Sequence, residues 1–354
     1  MISRHSRTRR AAGLTAALCA AALTLTACGS DDSSSGKSSP SSSSTSPAVS
    51  ASVTPSGSAS ASATPSASPT KAAKTITNLD AVSVTGNPGK SPTVKADWPI
   101  KIAKTTSKVL NPGTGRTVDS SATVNVNYVG INARTGKSFD SSFTRGKATS
   151  FSLDQVVAGF KKGLAGKKVG DRVLIMMPGT DAYDSQGGAS QVGINKGDSL
   201  IFVVEIKDVA YKTAEGTAVT PPAGLPTVTV KNNVPDVKIG DAKKPSSLVT
   251  QPLIKGAGRK VTAKDTIQVK YRTWSWSDDE LIEDGYDGSG VSGQMSGVIE
   301  GWKKGLVGQT VGSRVMLVVP PSMAYPKGNA TPTIAKGETL VYVIDILFAD
   351  EASS

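Results

Sequence analysis

The chain has 354 residues, 38% of them apolar, and a formal charge of +12 at pH 7, which leaves room for two domains behind a leader. Its single histidine, His5, and both cysteines, Cys19 and Cys28, lie in the first 28 residues. The rest of the chain therefore has no Ser–His or Cys–His dyad, no His/Cys zinc site and no disulfide. Its chemistry must rest on carboxylates, tyrosines, backbone groups or an apolar pocket, and neither a cofactor nor a metal is expected.

Arg4, Arg7, Arg9 and Arg10 precede an apolar run from Ala11 to Leu25 that is too short to span a membrane as a mature helix. Leu25-Thr26-Ala27-Cys28 resembles a bacterial lipobox. Residues 1–27 are read as a lipoprotein signal peptide and Cys28 as the lipid-bearing residue, against an ordinary signal peptide with an incidental cysteine. No apolar pair follows Arg9-Arg10 closely, as twin-arginine export would want. The expected location is the outer face of the bacterial cytoplasmic membrane, lipid-anchored and extending into the cell wall layer. Loss of the four arginines lowers the charge by four to +8, spread over scattered Lys and Arg. That surface suits mild attraction to anionic lipid or wall polymer, and no nucleic-acid partner is expected.

Residues 28–75 are mostly Ser, Ala, Pro and Thr, which offer too little apolar surface to offset ordering entropy. They read as a disordered stalk of about 35–40 Å mean span. A repeat follows. Residues 159–178 match 301–320 at a constant offset of 142, with 11 of 20 residues identical. Thr123–Tyr128 returns as Thr266–Tyr271, and Ala182-Tyr183 as Ala324-Tyr325. That period is too long for a solenoid and suits a duplicated domain. The expected boundaries are 90–212 for the first domain, 213–225 for a linker containing Pro221-Pro222, and 226–349 for the second.

Each repeat reads mainly as β. Val124, Val126 and Tyr128 alternate with Asn125 and Asn127, as in a strand with one buried face. Residues 171–177 and 199–209 are further strands, and 156–164 is the one helix expected, with Gly159 and Gly163 capping and shortening it. The second repeat is read alike, with strands near 266–274, 313–320 and 339–348 and a helix at 298–306. The fold class is α+β, because a few antiparallel strands need a helix across their apolar face.

Tyr128-Val-Gly130, Gly136-Lys-Ser-Phe139-Asp140-Ser-Ser142, Val156-Val157-x-Gly159-Phe160, Gly170-Asp-Arg172, Ala182-Tyr183 and Leu200-Ile-Phe202-x-Val204 together resemble the FKBP-type peptidyl-prolyl isomerases. The similarity covers most of 100–210, and a divergent copy covers about 245–349. It implies two FKBP-like domains, each a twisted antiparallel sheet wrapped around one short helix. It also implies a pocket walled by Tyr128, Phe139, Val156, Val157, Phe160 and Phe202, with Ile194 at its mouth. Asp140 would lie near the substrate carbonyl, paired with Arg145 or a tyrosine hydroxyl, while Tyr183 and the Val157 amide would donate to the substrate. Phe160, Val156 and Phe202 also read as plain core.

In the second repeat Tyr271, Val298, Ile299, Trp302, Tyr325, Ile334 and Tyr342 fill matching positions. Ile282 and Glu283 replace the Phe-Asp pair, inside a stretch where six of the ten residues 278–287 are acidic. That stretch fails the ligand spacing of an EF-hand and reads as a solvated hairpin tip. The resemblance implies isomerisation of X–Pro bonds in exported proteins and possible occupation by macrolides such as rapamycin. The alternative is a non-catalytic tandem module or chaperone that holds proline-containing segments. A solute-binding lipoprotein is disfavoured, because the chain lacks repeated strand–helix alternation.

Overall fold

The protein is described by a computed structural model over residues 72–351. The segments expected to be a signal peptide and a stalk, with Cys28, lie outside the described residues up to residue 71.

The first chain segment builds a layer that sequence patterning did not anticipate. Strands β1 (Lys74–Ile76), β2 (Ser83–Thr85), β3 (Thr93–Lys95) and β4 (Ile100–Ile102) pair as β1 with β4 and β2 with β3. Residues 74 and 75, expected at the end of the stalk, are thus part of β1. The main sheet follows: β5 (Thr106–Asn111), β6 (Thr123–Asn132), β7 (Ser138–Ser141), β8 (Thr149–Ser152), β9 (Arg172–Met177) and, after the short pair β10 (Gly188–Ala189) and β11 (Ile194–Asn195), β12 (Leu200–Val209). Its order is β5-β9-β12-β6-β7, with β8 on the other part of the β6 edge. Two helices punctuate it, α1 (Ser142–Arg145) and α2 (Ala158–Leu164).

Each central strand is buried on both faces. Leu200, Phe202, Val204 and Ile206 join Phe160 and Leu164 in one core, while Ile201 and Val203 join Ile76, Val82, Ile100 and Ile102 in another. This explains the unbroken apolar runs in β9 and β12, since strict alternation is needed only where one face meets water. The outer layer is also tied electrostatically. Arg172 Nε lies 3.2 Å from Glu205 Oε1, and Arg172 donates to the carbonyls of Gly86 and Lys90. Glu205 in turn accepts from the Gly89 amide at 2.9 Å.

The helix glycines have a different role from the expected one. A Cβ on Gly159 would lie 2.5 Å from Met177 Sδ, and one on Gly163 would lie 2.6 Å from Ile175 Cδ1. Both face the sheet and let α2 approach it closely, and the helix ends at Ala165 instead. The α1 turn was not expected from periodicity, because four residues are too few to show any.

The second domain repeats this plan: β13 (Gly216–Ala218), β14 (Thr227–Lys231), β15 (Val234–Lys238), β16 (Val249–Gly256), β17 (Asp265–Ser275), β18 (Leu281–Asp284), β19 (Val291–Gln294), α3 (Glu300–Leu306), β20 (Arg314–Val319) and β21 (Leu340–Glu351). The sheet order is β13-β16-β20-β21-β17-β18, with β19 on β17. Hairpin β14–β15 supplies the outer layer, where Val237 and Ile239 pack on Trp274, Met316 and Val341. The buried ion pair recurs as Arg314 Nε to Asp345 Oδ1 at 2.6 Å, with Arg314 also donating to the Asn233 carbonyl.

Residues 213–225 correct the expected linker. β13 pairs with β16 from Gly216↔Gly256 to Ala218↔Ile254, and the Ala214 amide donates to Asp345. The segment is an edge of the second sheet. The junction is nearer Ala210-Tyr211, whose amides donate to Thr123 in the first domain and Leu347 in the second.

Candidate active site

On the helix side of the first sheet lies a cleft of about 530 Å³. β6 and β12 contribute Tyr128 and Phe202, which share this face because Phe202 pairs with Gly130, two residues along β6 from Tyr128. β7 brings Phe139 and Asp140, and the entry to α2 brings Val156, Val157 and Phe160. The rings meet edge to face: Phe160 and Phe202 at 4.8 Å, Phe139 and Phe202 at 5.6 Å, Tyr128 and Phe160 at 6.3 Å. Such arrangements set the positive ring edge against a negative face.

Gly130 makes this packing possible. A Cβ there would lie 2.6 Å from Phe139 Cζ and 2.8 Å from Phe202 Cε1. Only a residue without a side chain lets the Phe139 ring cross β6 at this point.

Asp140 is held on both sides. Tyr128 Oη donates to Oδ2, the Arg145 guanidinium pairs with Oδ1, and Arg145 Nη2 donates to Tyr128 Oη at 3.0 Å. Burial, followed by the hydrogen bond to Asp140, pushes the Tyr128 phenol above its ordinary pKa, so it stays a donor. The short helix α1 is what presents Arg145. Tyr183 stands across the cleft, and its phenol is raised by burial and by the negative charge of Asp140. Neither the Tyr183 hydroxyl nor the Val157 amide has a hydrogen-bond partner among the described residues. Two donors are thus left open over an aromatic floor, within a rim that also carries Asp140, Gln155, Asp181 and Gln186.

Eight of the nine residues expected in the first pocket line this cleft. Ile194 does not: in β11, paired with Ala189, it is 2% exposed and packed in the core, so its expected place at the mouth is corrected. Phe151 joins the floor unexpectedly, 5.3 Å from Phe160 and edge to face. Its alternating place in β8 was a usable signal. Gln155, Asp181 and Gln186 at the rim had none, because they sit in a turn and two three-residue 3₁₀ helices too short to show a period.

The second domain carries the same frame with different contents. Tyr271, Trp302 and Tyr342 form a ring cluster, Tyr271 and Trp302 at 5.1 Å and Trp302 and Tyr342 at 5.5 Å. Ile282, Val298, Ile299 and Tyr325 pack against this core, and Ile334 is buried within it. Sheet register places Glu283 opposite Thr273, as it places Asp140 opposite Gly130. Thr273 therefore stands where the first domain needs a glycine, and Ile282 stands where it has Phe139. Thr273 is fully buried and its hydroxyl donates to Glu283 Oε2 at 3.4 Å, while Tyr271 Oη donates to Oε1 at 3.3 Å. Burial lifts the Glu283 carboxyl above its usual range, and both hydrogen bonds only partly oppose that. Register also sets Gly293 where Phe151 stands, with open space where its side chain would be. Among the described residues no group of acidic side chains in this region is placed to hold a metal.

Comparison with known proteins gives the family. The sequence profile described as FKBP-type peptidyl-prolyl cis-trans isomerase matches residues 114–207 and again 257–347. A probable FK506-binding protein of Corynebacterium glutamicum is 34% identical over 94 residues, which are 27% of this chain and 77% of that protein. The FKBP-type peptidyl-prolyl cis-trans isomerase FkpA of Escherichia coli is 40% identical over 102 residues, 29% of this chain and 36% of its own length. The crystal structure of Escherichia coli FkpA aligns over 30% of this chain and 47% of that one, with 38% identity and a TM-score of 0.28. The chain belongs to the FKBP-type peptidyl-prolyl cis-trans isomerase family, with two copies of its domain.

Proposed function

We propose that the protein isomerises X–Pro bonds of exported proteins outside the membrane, chiefly in the first cleft, with the second domain a weaker site. The observation that carries this reading is the pair of open donors, Tyr183 Oη and the Val157 amide, over a floor of phenylalanine rings.

The chemistry needs no covalent step. An X–Pro amide must lose its resonance to rotate, against a barrier of about 18–20 kcal/mol. Unaided, the exchange takes on the order of 10–100 s. The twisted amide is less dipolar than the planar one, so a cleft poor in water favours it over the ground state. The proline ring would lie on Phe160 and Phe202, with Phe139 as side wall. Tyr183 and the Val157 amide would hold flanking carbonyls. Asp140, fixed by Tyr128 and Arg145, would face the rotating carbonyl. Each 1.4 kcal/mol gained at the twisted state is about tenfold in rate.

Macrolides such as rapamycin would compete for the same apolar floor. A tandem module that only holds proline-containing segments is favoured by one observation, and in the second domain alone: Ile282 and Thr273 replace the aromatic side wall. Lipid on Cys28 would place both domains at the outer face of the cytoplasmic membrane. Replacing Cys28 with serine should then release the protein into the medium, and a Cys28→Ser protein that stays membrane-bound contradicts the anchor. For the activity, Phe139→Ala in the full-length chain should lower kcat/KM on an X–Pro peptide by about tenfold or more. An unchanged value contradicts the first cleft as the site.

A further inference from the structure

The two domains differ in charge along the segment that follows β6 and β17. In the first domain, residues 132–147 around β7 and α1 carry four Lys or Arg and one acid, Asp140. In the second, the register-equivalent residues 275–290 carry six acids and no Lys or Arg. The difference reaches the inner carboxylate itself. Asp140 is paired with the Arg145 guanidinium. The hairpin after β18 has no helix equivalent to α1, and Glu283 forms no ion pair among the described residues.

The groups that face Glu283 are all neutral. Tyr271 and Thr273 from β17 donate to it, and Tyr325 and Tyr342, from the loop after β20 and from β21, feel its charge. The nearby Arg272 is committed to Asp284 and to the Pro235 carbonyl. A half-buried carboxylate held by two hydroxyls and no cation is under-compensated, and an incoming cation would complete it. The floor has a second open group. Trp302 is 8% exposed and its indole N–H has no partner among the described residues.

We infer that Glu283 makes the second cleft selective for prolyl segments with a lysine or arginine beside the proline, a selection that the first cleft does not make because Arg145 already occupies its carboxylate. The inference rests on the reading of both clefts as prolyl-segment sites. It gives the degenerate copy a purpose, since the two domains would divide unfolded clients by charge.

The test uses the full-length chain and three short peptides that differ only in the residue before proline: lysine, leucine or glutamate. Binding at the second cleft is followed by NMR at the Trp302 indole N–H, identified by its loss in Trp302→Phe. Binding at the first is followed at the Val157 amide. The lysine peptide should bind the second cleft about fivefold or more tighter than the glutamate peptide, with a ratio under about twofold at the first. Glu283→Gln should bring the second ratio to about one while the leucine peptide still binds. Should that variant fold poorly, the unmodified protein provides the same control. Lowering the pH through the raised carboxylate range of Glu283 should erode its preference for the lysine over the leucine peptide, as should raised salt. If the leucine peptide binds at Trp302 with no charge preference, the inference is wrong and the cleft reading stands. If no peptide shifts the Trp302 signal, the second cleft is not a prolyl site and both fall.

Discussion

The two clefts solve one packing problem with different sets of side chains. The first has Gly130, Phe139, Phe151 and Phe160, and the second has Thr273, Ile282, Gly293 and Trp302 at the equivalent places. Each exchange is compensated by its neighbour. Where Phe139 crosses β6, the strand is glycine; where the crossing ring is lost, a threonine fills the space and supplies a hydroxyl to Glu283. Where Phe151 backs the floor, Phe160 suffices; where that backing shrinks to Gly293, the floor is the larger Trp302. The frame tolerates divergence because neighbouring positions change together, and with them the chemistry presented to a ligand.

Pairwise compensation is open to disproof. The largest effect is expected from breaking the first pair: Gly130→Thr sets a side chain into the space of Phe139 and Phe202. It should cost about 1–3 kcal/mol on denaturant unfolding and lower kcat/KM sharply. The converse double change, Thr273→Gly with Ile282→Phe, should build an aromatic wall in the second domain and raise its isomerisation rate. A rate left where it was would show that the missing ring is not what limits that cleft.

The floor pair sharpens the same idea. Phe160→Trp alone should overpack against Phe151, and Phe151→Gly alone should leave a void. A double-mutant cycle should show the combined variant more stable than the sum of the singles predicts, by about 1 kcal/mol. Additive energies would mean that the two floors evolved independently. Smallest in stability is Tyr183→Phe, which removes an open hydroxyl and keeps the ring. Thermal unfolding should move by no more than about 0.5 kcal/mol equivalent.

Much of this was legible in the chain. The duplication, the central strands and the ring set of the first cleft follow from repeats and ordered motifs. The outer layers did not, although the evidence lay in β9 and β12: runs such as Leu200-Ile-Phe-Val-Val have no polar face, so something had to cover both sides. Residues 76–99 and 226–239 hid because their strands are short and mixed in polarity, and their burial comes from a sheet remote in sequence. The linker was misread for a related reason. Pro221-Pro222 signals a break, yet β13, which precedes it, gains its place by pairing with β16. Ile194 shows the limit of transferring a pocket by motif, since its loop folds it into the core. Gly159 and Gly163 show that spacing alone cannot tell a cap from a close approach.

The central claim is that the first cleft performs most of the isomerisation. It is tested by measuring kcat/KM of the full-length chain on a neutral X–Pro peptide beside two matched variants, Tyr183→Phe and Tyr325→Phe. Each removes one hydroxyl from the equivalent position of one cleft. The account predicts a loss of about tenfold for Tyr183→Phe and retention of at least about half the rate for Tyr325→Phe. Equal losses, or a larger loss for Tyr325→Phe, would contradict it and make the tryptophan-floored second cleft the principal site.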